Sequence, residues 1–298
     1  MLFQRTLASS LALTLTLAAG AAWAQEKKPA PSAPTGSAVQ MQQIRNATVK
    51  ISYADTTFLI DPMLAKKGSY PGFENTYRSH LRNPLVDLPV STEDVIEGVD
   101  AVIVTHTHLD HWDAAAQELL PKNLPLFVQN AADARTIRAQ GFKDVRILTD
   151  KTEFAGVTLS KTGGQHGTDQ MFATPAVAES LGEAMGVVFE APGHKTLYLA
   201  GDTIWRAEID QALATYVPGV IVLNAGYARL TGFDGAIIMG KDDVLRAAQA
   251  APKATIVAVH LDAINHMGLS REELGKYVEQ QGISDRVQIP LDGTTLQL

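Results

Sequence analysis

Thr105-His106-Thr107-His108-Leu109-Asp110-His111 places three imidazoles and a carboxylate within one short segment. It follows directly on Ala101-Val102-Ile103-Val104, an apolar run that reads as a strand buried on both faces. In extended chain, residues i and i+2 point to the same side. His106 and His108 can therefore direct two rings at one cation. A turn after Leu109 then carries Asp110 and His111 to an adjacent position. Neutral imidazole and carboxylate are the ligands that Zn²⁺, Mn²⁺ or Fe²⁺ accept where no thiolate is available. The same groups gathered without a metal would all need other partners in one strand-to-helix loop.

The 298-residue composition agrees with that chemistry. The chain has 8 His and no Cys. Disulfides, thiolate nucleophiles, Cys-ligated zinc and iron–sulfur clusters are excluded. A formal net charge of −7 gives no excess of Lys and Arg with which to neutralise phosphates, so no nucleic-acid partner is expected. The 46% hydrophobic content supports a sizeable core.

Outward from the histidine segment the pattern is strands first, then alternation. Residues 39–60 alternate apolar and polar at period 2 and read as an antiparallel meander ended by Asp61-Pro62. Residues 63–98 are rich in Gly and Pro and read as a long irregular stretch. Its Tyr70, Phe73, Tyr77, Arg78 and Arg82 either line a substrate mouth or pack as a surface flap. Helices are expected at 113–120, 131–140, 206–215, 241–250 and 270–281. Strands are expected at 125–129, 144–148, 156–161, 186–191, 195–200, 219–223, 254–260, 286–289 and 294–298. This order suggests two similar halves, meeting face to face as layered α/β.

At these motifs the sequence resembles the metallo-β-lactamase superfamily, whose fold is a four-layer αββα sandwich and whose signature is an H-x-H-x-D-H segment. The resemblance spans residues 39–298. Gly163-Gly164-Gln165-His166-Gly167, Tyr198-Leu199-Ala200-Gly201-Asp202 and Val257-Ala258-Val259-His260 fall where the family supplies its later ligands. Phe58-Leu59-Ile60-Asp61-Pro62 resembles the subgroup containing ascorbate-6-phosphate lactonase and related metal-dependent hydrolases. The resemblance implies that His106, His108 and His166 hold one metal, that Asp110, His111 and His260 hold a second, and that Asp202 bridges them. Asp202 also stands where it could cap a helix starting at Ile204. The implied cofactors are two divalent ions, Zn²⁺ first, with Mn²⁺ or Fe²⁺ as alternatives.

Two such cations lower the pKa of a shared water to about 7 and polarise the substrate oxygen. Asp110 is then placed to orient that water and take its proton. His266, six residues beyond His260, either faces the substrate or ties down its own loop; His80 and His194 read as solvated. There is no G-x-S-x-G nucleophile elbow. The expected activity is hydrolysis of a small-molecule cyclic ester or amide such as a lactone. A phosphodiesterase or phospholipase-like hydrolase is the alternative within enzymes. An iron-dependent redox protein or a non-catalytic metal binder lies outside that class. Met171, Phe172 and Met185 suggest an apolar pocket wall or, equally, core.

Residues 1–24 carry Arg5, a short apolar segment and Ala22-Trp23-Ala24, the pattern of a cleavable signal peptide. The apolar segment is short for a membrane span. Cleavage after Ala24 would give a periplasmic or secreted protein without stable membrane insertion. Residues 25–38, with three prolines, read as an extended tether.

Overall fold

The computed structural model describes Leu2 and residues 39–298. The expected cleavage site and tether lie outside the described residues, as does the expected signal segment apart from Leu2. In chain order the elements are β1 (Gln40–Arg45), β2 (Thr48–Tyr53), β3 (Thr56–Ile60), α1 (Thr92–Ile96), β4 (Ala101–Val104), α2 (Ala114–Leu119), β5 (Leu126–Val128), α3 (Ala131–Ala139), β6 (Val145–Ile147), β7 (Thr152–Phe154) and β8 (Val157–Thr162). There follow α4 (Asp169–Phe172), α5 (Pro175–Leu181), β9 (Gly186–Glu190), β10 (Leu197–Leu199), α6 (Ala207–Tyr216), β11 (Val220–Asn224), α7 (Lys241–Ala250), β12 (Thr255–Val259), α8 (Arg271–Gln280), β13 (Val287–Gln288) and β14 (Thr295–Gln297).

Two seven-stranded sheets result, in the orders β14-β1-β2-β3-β4-β5-β6 and β13-β12-β11-β10-β9-β8-β7. Strand periodicity builds the layers. Phe58, Ile60 and Ile103 point inward to meet Val187, Val222, Val257 and Val259 of the other sheet. Leu59, Val102 and Val104 point outward instead, and pack with Val95, Ala116 and Ile137 of α1, α2 and α3. On the far side Ile221, Ile256 and Ala258 pack with Ile209, Val244 and Leu274 of α6, α7 and α8. The central strands are therefore covered on both faces, as their continuous apolar sequence requires. The four-layer αββα sandwich is the architecture expected from the sequence.

The two halves exchange one element. β14 pairs antiparallel with β1, joining the C-terminal residues to the first sheet. The stretch 63–98 contains the short helix α1, capped by the Ser91 side chain on the Asp94 N–H. The loop after β8 contains two more short helices, α4 and α5. Among the described residues no helix is long and apolar enough to cross a membrane. Met171 is fully buried in an apolar cluster with Met63 and Leu181, and Met185 lies in the inter-sheet core. Core packing, not a pocket wall, is the role of both; Phe172 packs against the same cluster as Met171.

Candidate metal centre

Every ligand candidate sits just beyond the C-terminal end of a strand: the 106–111 segment after β4, His166 after β8, Asp202 after β10 and His260 after β12. The sandwich brings these four loops together at one edge. Their donor atoms form three overlapping groups: His106, His108 and His166; His106, His111 and Asp202; Asp110, His111 and His260. Within each group the ligand atoms all lie within 4.8 Å of one another. Asp202 Oδ2 is the common point. It lies 3.1 Å from His111 Nε2, 3.6 Å from His166 Nε2, 3.6 Å from His260 Nε2 and 3.9 Å from His106 Nε2. Asp110 Oδ2 approaches His260 Nε2 at 3.4 Å.

The groups behind these side chains assign their tautomers. His111 Nδ1 donates to Asp61 Oδ2 at 2.9 Å. Thr105 Oγ1 donates to the same carboxylate oxygen at 2.7 Å, and so is left to accept from His106 Nδ1 at 3.2 Å. His166 Nδ1 donates to the Ile237 carbonyl at 2.9 Å. His108 is turned the other way: its Nε2 donates to the Ser180 carbonyl at 2.9 Å, leaving Nδ1 to face inward. Inward-facing lone pairs are thereby set against each other, with His106 Nε2 and His108 Nδ1 only 3.0 Å apart. His111 Nε2 and His260 Nε2 are 3.1 Å apart. Buried acceptors as close as His106 Nε2 and His108 Nδ1 repel unless a cation lies between them, and at His111 Nε2, protonated when no metal is present, a second metal ion would take the proton's place. The donor set thus fits two divalent ions: His106, His108 and His166 would hold one, Asp110, His111 and His260 the other, with Asp202 between. Asp202 Oδ1 is fixed by Asn224 Nδ2 at 2.6 Å, so Oδ2 is left for this role. Asp202 caps no helix, because α6 begins later, with Arg206 at its N-cap.

The charges follow the same geometry. Burial pushes His166 down to about 4. Burial, reinforced by His111 and His108, holds His106 well below the ordinary imidazole value. Both are neutral imidazoles at physiological pH, the form a metal would need. Burial also pulls His111 down, but Asp202, Asp110 and Asp61 outweigh it and hold its pKa well above 6.5. His260 is raised in the same way, chiefly by Asp202 and Asp110. Without metal, His111 is therefore an imidazolium, and a metal must displace its proton. Metal loading near pH 7 is expected to release at least about one proton per chain, and apparent affinity to rise with pH. Calorimetry in buffers of different ionisation enthalpy reads this directly. Proton-neutral loading would show that His111 is not a ligand.

A cavity of about 380 Å³ opens onto these groups. Its walls include Phe73, Leu109, Leu181, Leu230 and Ile237, and His266 lies beside Asp110 and Asp202 along it. Among the described residues no Lys or Arg lines it, and outside the ligand positions its one carboxylate is Glu74. His266 is 6% exposed, its Nδ1 has no hydrogen-bond partner, and burial pushes its pKa down to about 4. It therefore stands in the cavity as a neutral imidazole. His80 is exposed. His194 is half-buried, with its ring centroid 5.5 Å from that of Tyr53. Of the flap residues, Phe73 reaches the cavity, whereas Tyr70 donates to Asp113 and Arg82 to the Gly68 and Ser69 carbonyls.

Three residues that the sequence reading did not single out complete the centre. Asp61 orients both His111 and, through Thr105, His106. Asn224 orients Asp202. Asn46, at the β1–β2 turn with φ +59°, donates to the Asp110 carbonyl and accepts from the His260 N–H, tying two ligand loops together. The signals available for Asp61 were its place at the end of β3 and the subgroup resemblance of Phe58-Leu59-Ile60-Asp61-Pro62, neither of which gave it a role.

The Beta-lactamase superfamily domain family matches residues 56–261. UPF0173 protein YddR of Bacillus subtilis is 46% identical over 255 residues, which are 86% of this chain and 98% of that protein. The crystal structure of a possible metal-dependent hydrolase from Veillonella parvula superposes with a TM-score of 0.87 at 50% identity, covering 88% of this chain and 100% of the other. That of an isothiocyanate hydrolase from Delia radicum gut bacteria superposes with a TM-score of 0.84 at 47% identity, covering 87% and 99%.

Proposed function

Because the chain belongs to the beta-lactamase superfamily and is a metal-dependent hydrolase of its UPF0173 group, we propose that it hydrolyses a small uncharged carbon electrophile at a dinuclear centre. The observation that carries this reading is the cavity lining: among the described residues it has no cationic side chain, one carboxylate outside the ligand positions at Glu74, and Phe73, Leu109, Leu181, Leu230 and Ile237 set beside the neutral Asn75, Thr76 and Ser180. A phosphorylated or carboxylate-bearing substrate would find no cationic side chain among the described residues that line the cavity. This disfavours the phosphodiesterase alternative. An isothiocyanate is the first candidate, supported by the relative that shares 47% identity. Its reaction would be R–N=C=S + H₂O → R–NH₂ + O=C=S. A lactone, a compact neutral ester, fits the same lining and is the second.

When bound, two divalent cations, Zn²⁺ in the first instance, would supply a nucleophilic water at neutral pH and polarise the substrate's acceptor atom. The chain's own residues do the rest. The walls at Phe73, Leu181 and Ile237 hold the organic group and exclude water. Asp110 is ionised, because His111 and His260 outweigh the effect of burial and hold its pKa far below the usual carboxylate value, and it is placed to accept a hydrogen bond from the attacking water and orient it. His266, neutral and lacking a partner at Nδ1, is placed to hydrogen-bond the substrate nitrogen or oxygen as charge develops there. The signal-like N-terminus supports action outside the cytoplasm, as a periplasmic or secreted enzyme.

A screen of isothiocyanates, lactones, phosphodiesters and thioesters with zinc- and manganese-loaded protein tests the reading. Turnover of an uncharged isothiocyanate or lactone is the expected result. Turnover of phosphodiesters alone, or oxygen consumption with one bound iron, would contradict it.

A further inference from the structure

We propose that Asn265 is the positioning residue that sets substrate selectivity, by locking the 70–83 flap to the loop that carries His266. The proposal rests on the reading above in taking the cavity as the substrate site. Asn265 is fully buried and its side chain makes four hydrogen bonds, all to the flap. Its Oδ1 accepts from the Phe73 N–H at 3.0 Å and from Asn83 Nδ2 at 2.7 Å. Its Nδ2 donates to Thr76 Oγ1 and to the Tyr77 carbonyl, both at 2.8 Å. Its own N–H donates to Asn83 Oδ1 at 2.8 Å, and its carbonyl accepts from Arg78 Nε at 3.0 Å.

The flap is itself closed, with Tyr70 and Asn83 exchanging backbone hydrogen bonds at 2.8 and 2.9 Å. Gly72 is enclosed in it so tightly that a Cβ would collide with the Ser79 and Leu81 carbonyls. Asn265 therefore plugs a preformed ring of chain. The residues on either side of this plug face the cavity: Phe73, whose N–H it holds, and His266, its neighbour in sequence. Their rings meet edge to face with centroids 5.2 Å apart. The apolar wall and the polar imidazole are thus fixed as one unit by a single amide. Such a wall selects by shape, because it does not yield to fit the substrate's tail.

The test uses the metal-loaded protein and two thiols that share a metal-seeking head and differ in tail, ethanethiol and 2-phenylethanethiol. It reads their binding together with amide hydrogen exchange across 70–83. The wild-type chain is expected to prefer the phenylethyl tail by about 30-fold. Asn265→Ala is expected to keep its metal content, exchange faster at Phe73 and Tyr77, and lose most of that preference, falling to about 3-fold or less. Arg78→Ala removes the guanidinium bonds to the Asn265 and Met267 carbonyls and the guanidinium's place over the Tyr77 ring, and leaves the Asn265 side chain intact. It is the milder variant should the first not fold, and is expected to shift both readouts in the same direction. A retained tail preference despite faster exchange would reduce Asn265 to a structural role and overturn the proposal alone. Failure of either thiol to bind the wild-type protein would overturn both the proposal and the assignment of the cavity as substrate site.

Discussion

Asp202→Ala is expected to bring the metal content to one ion per chain or fewer and to lower kcat/KM by about 10³ or more. The reason is geometric. Asp202 Oδ2 lies within 3.9 Å of the Nε2 atoms of His106, His111, His166 and His260, so it serves both halves of the centre. Removing it leaves four imidazoles directed at one point with only Asp110, on the side of His111 and His260, to offset them. It also strips His111 of the group that most offsets its burial. Asp202→Asn keeps the shape and the charge is all it loses, so it separates charge from packing. Its metal content is expected to fall nearly as far. Metal analysis by plasma emission, alongside turnover, checks both variants. Full two-metal occupancy in Asp202→Asn would show that the carboxylate is not the bridge.

The second large effect is expected one layer behind the ligands. Asp61 is 1% exposed and accepts from His111 Nδ1, Thr105 Oγ1 and the Thr105 N–H. Replacement by alanine leaves three buried donors unpaired, and about 3 kcal/mol or more of stability is expected to be lost. Asp61→Asn is the sharper probe. An amide nitrogen facing His111 Nδ1 would have to find an acceptor there, and would turn the proton of His111 to Nε2. The lone pair needed for metal would then be occupied. Metal affinity is expected to fall by about 10- to 100-fold, with the fold retained, as when other carboxylates that orient metal-binding histidines are changed. Competition against a chromogenic chelator measures this. Unchanged affinity would remove Asp61 from the centre.

The strands other than the short β7, and the four candidate ligands of the 106–111 segment, were legible because their signals are local. Val102, Ile103 and Val104 announce a buried strand, and His106-x-His108-x-Asp110-His111 announces a metal loop immediately after it. The later ligands were legible only through resemblance: His166 stands alone among glycines and His260 alone at a strand end. What escaped reading depends on partners distant in sequence. Asp61 gains its meaning from a histidine 50 residues away, and Asn265 from a flap more than 180 residues before it. The short helices α4 and α5 were missed because four and seven residues carry too little periodicity to register. Thr168, the α4 cap, and Pro175, the first residue of α5, were the signals present. The sequence leaves Met171 open between pocket wall and core, because only the shape of the sandwich decides that a methionine near a site in sequence packs in the core.

The central claim is that one edge of this sandwich holds two divalent cations on His106, His108, His166, Asp110, His111, His260 and Asp202. The most direct measurement is the metal-to-protein ratio of chain reconstituted with zinc or manganese and freed of excess by gel filtration. The account expects two ions per chain, falling when either His108 or His260 is replaced by alanine. A ratio of one that survives both substitutions would contradict it.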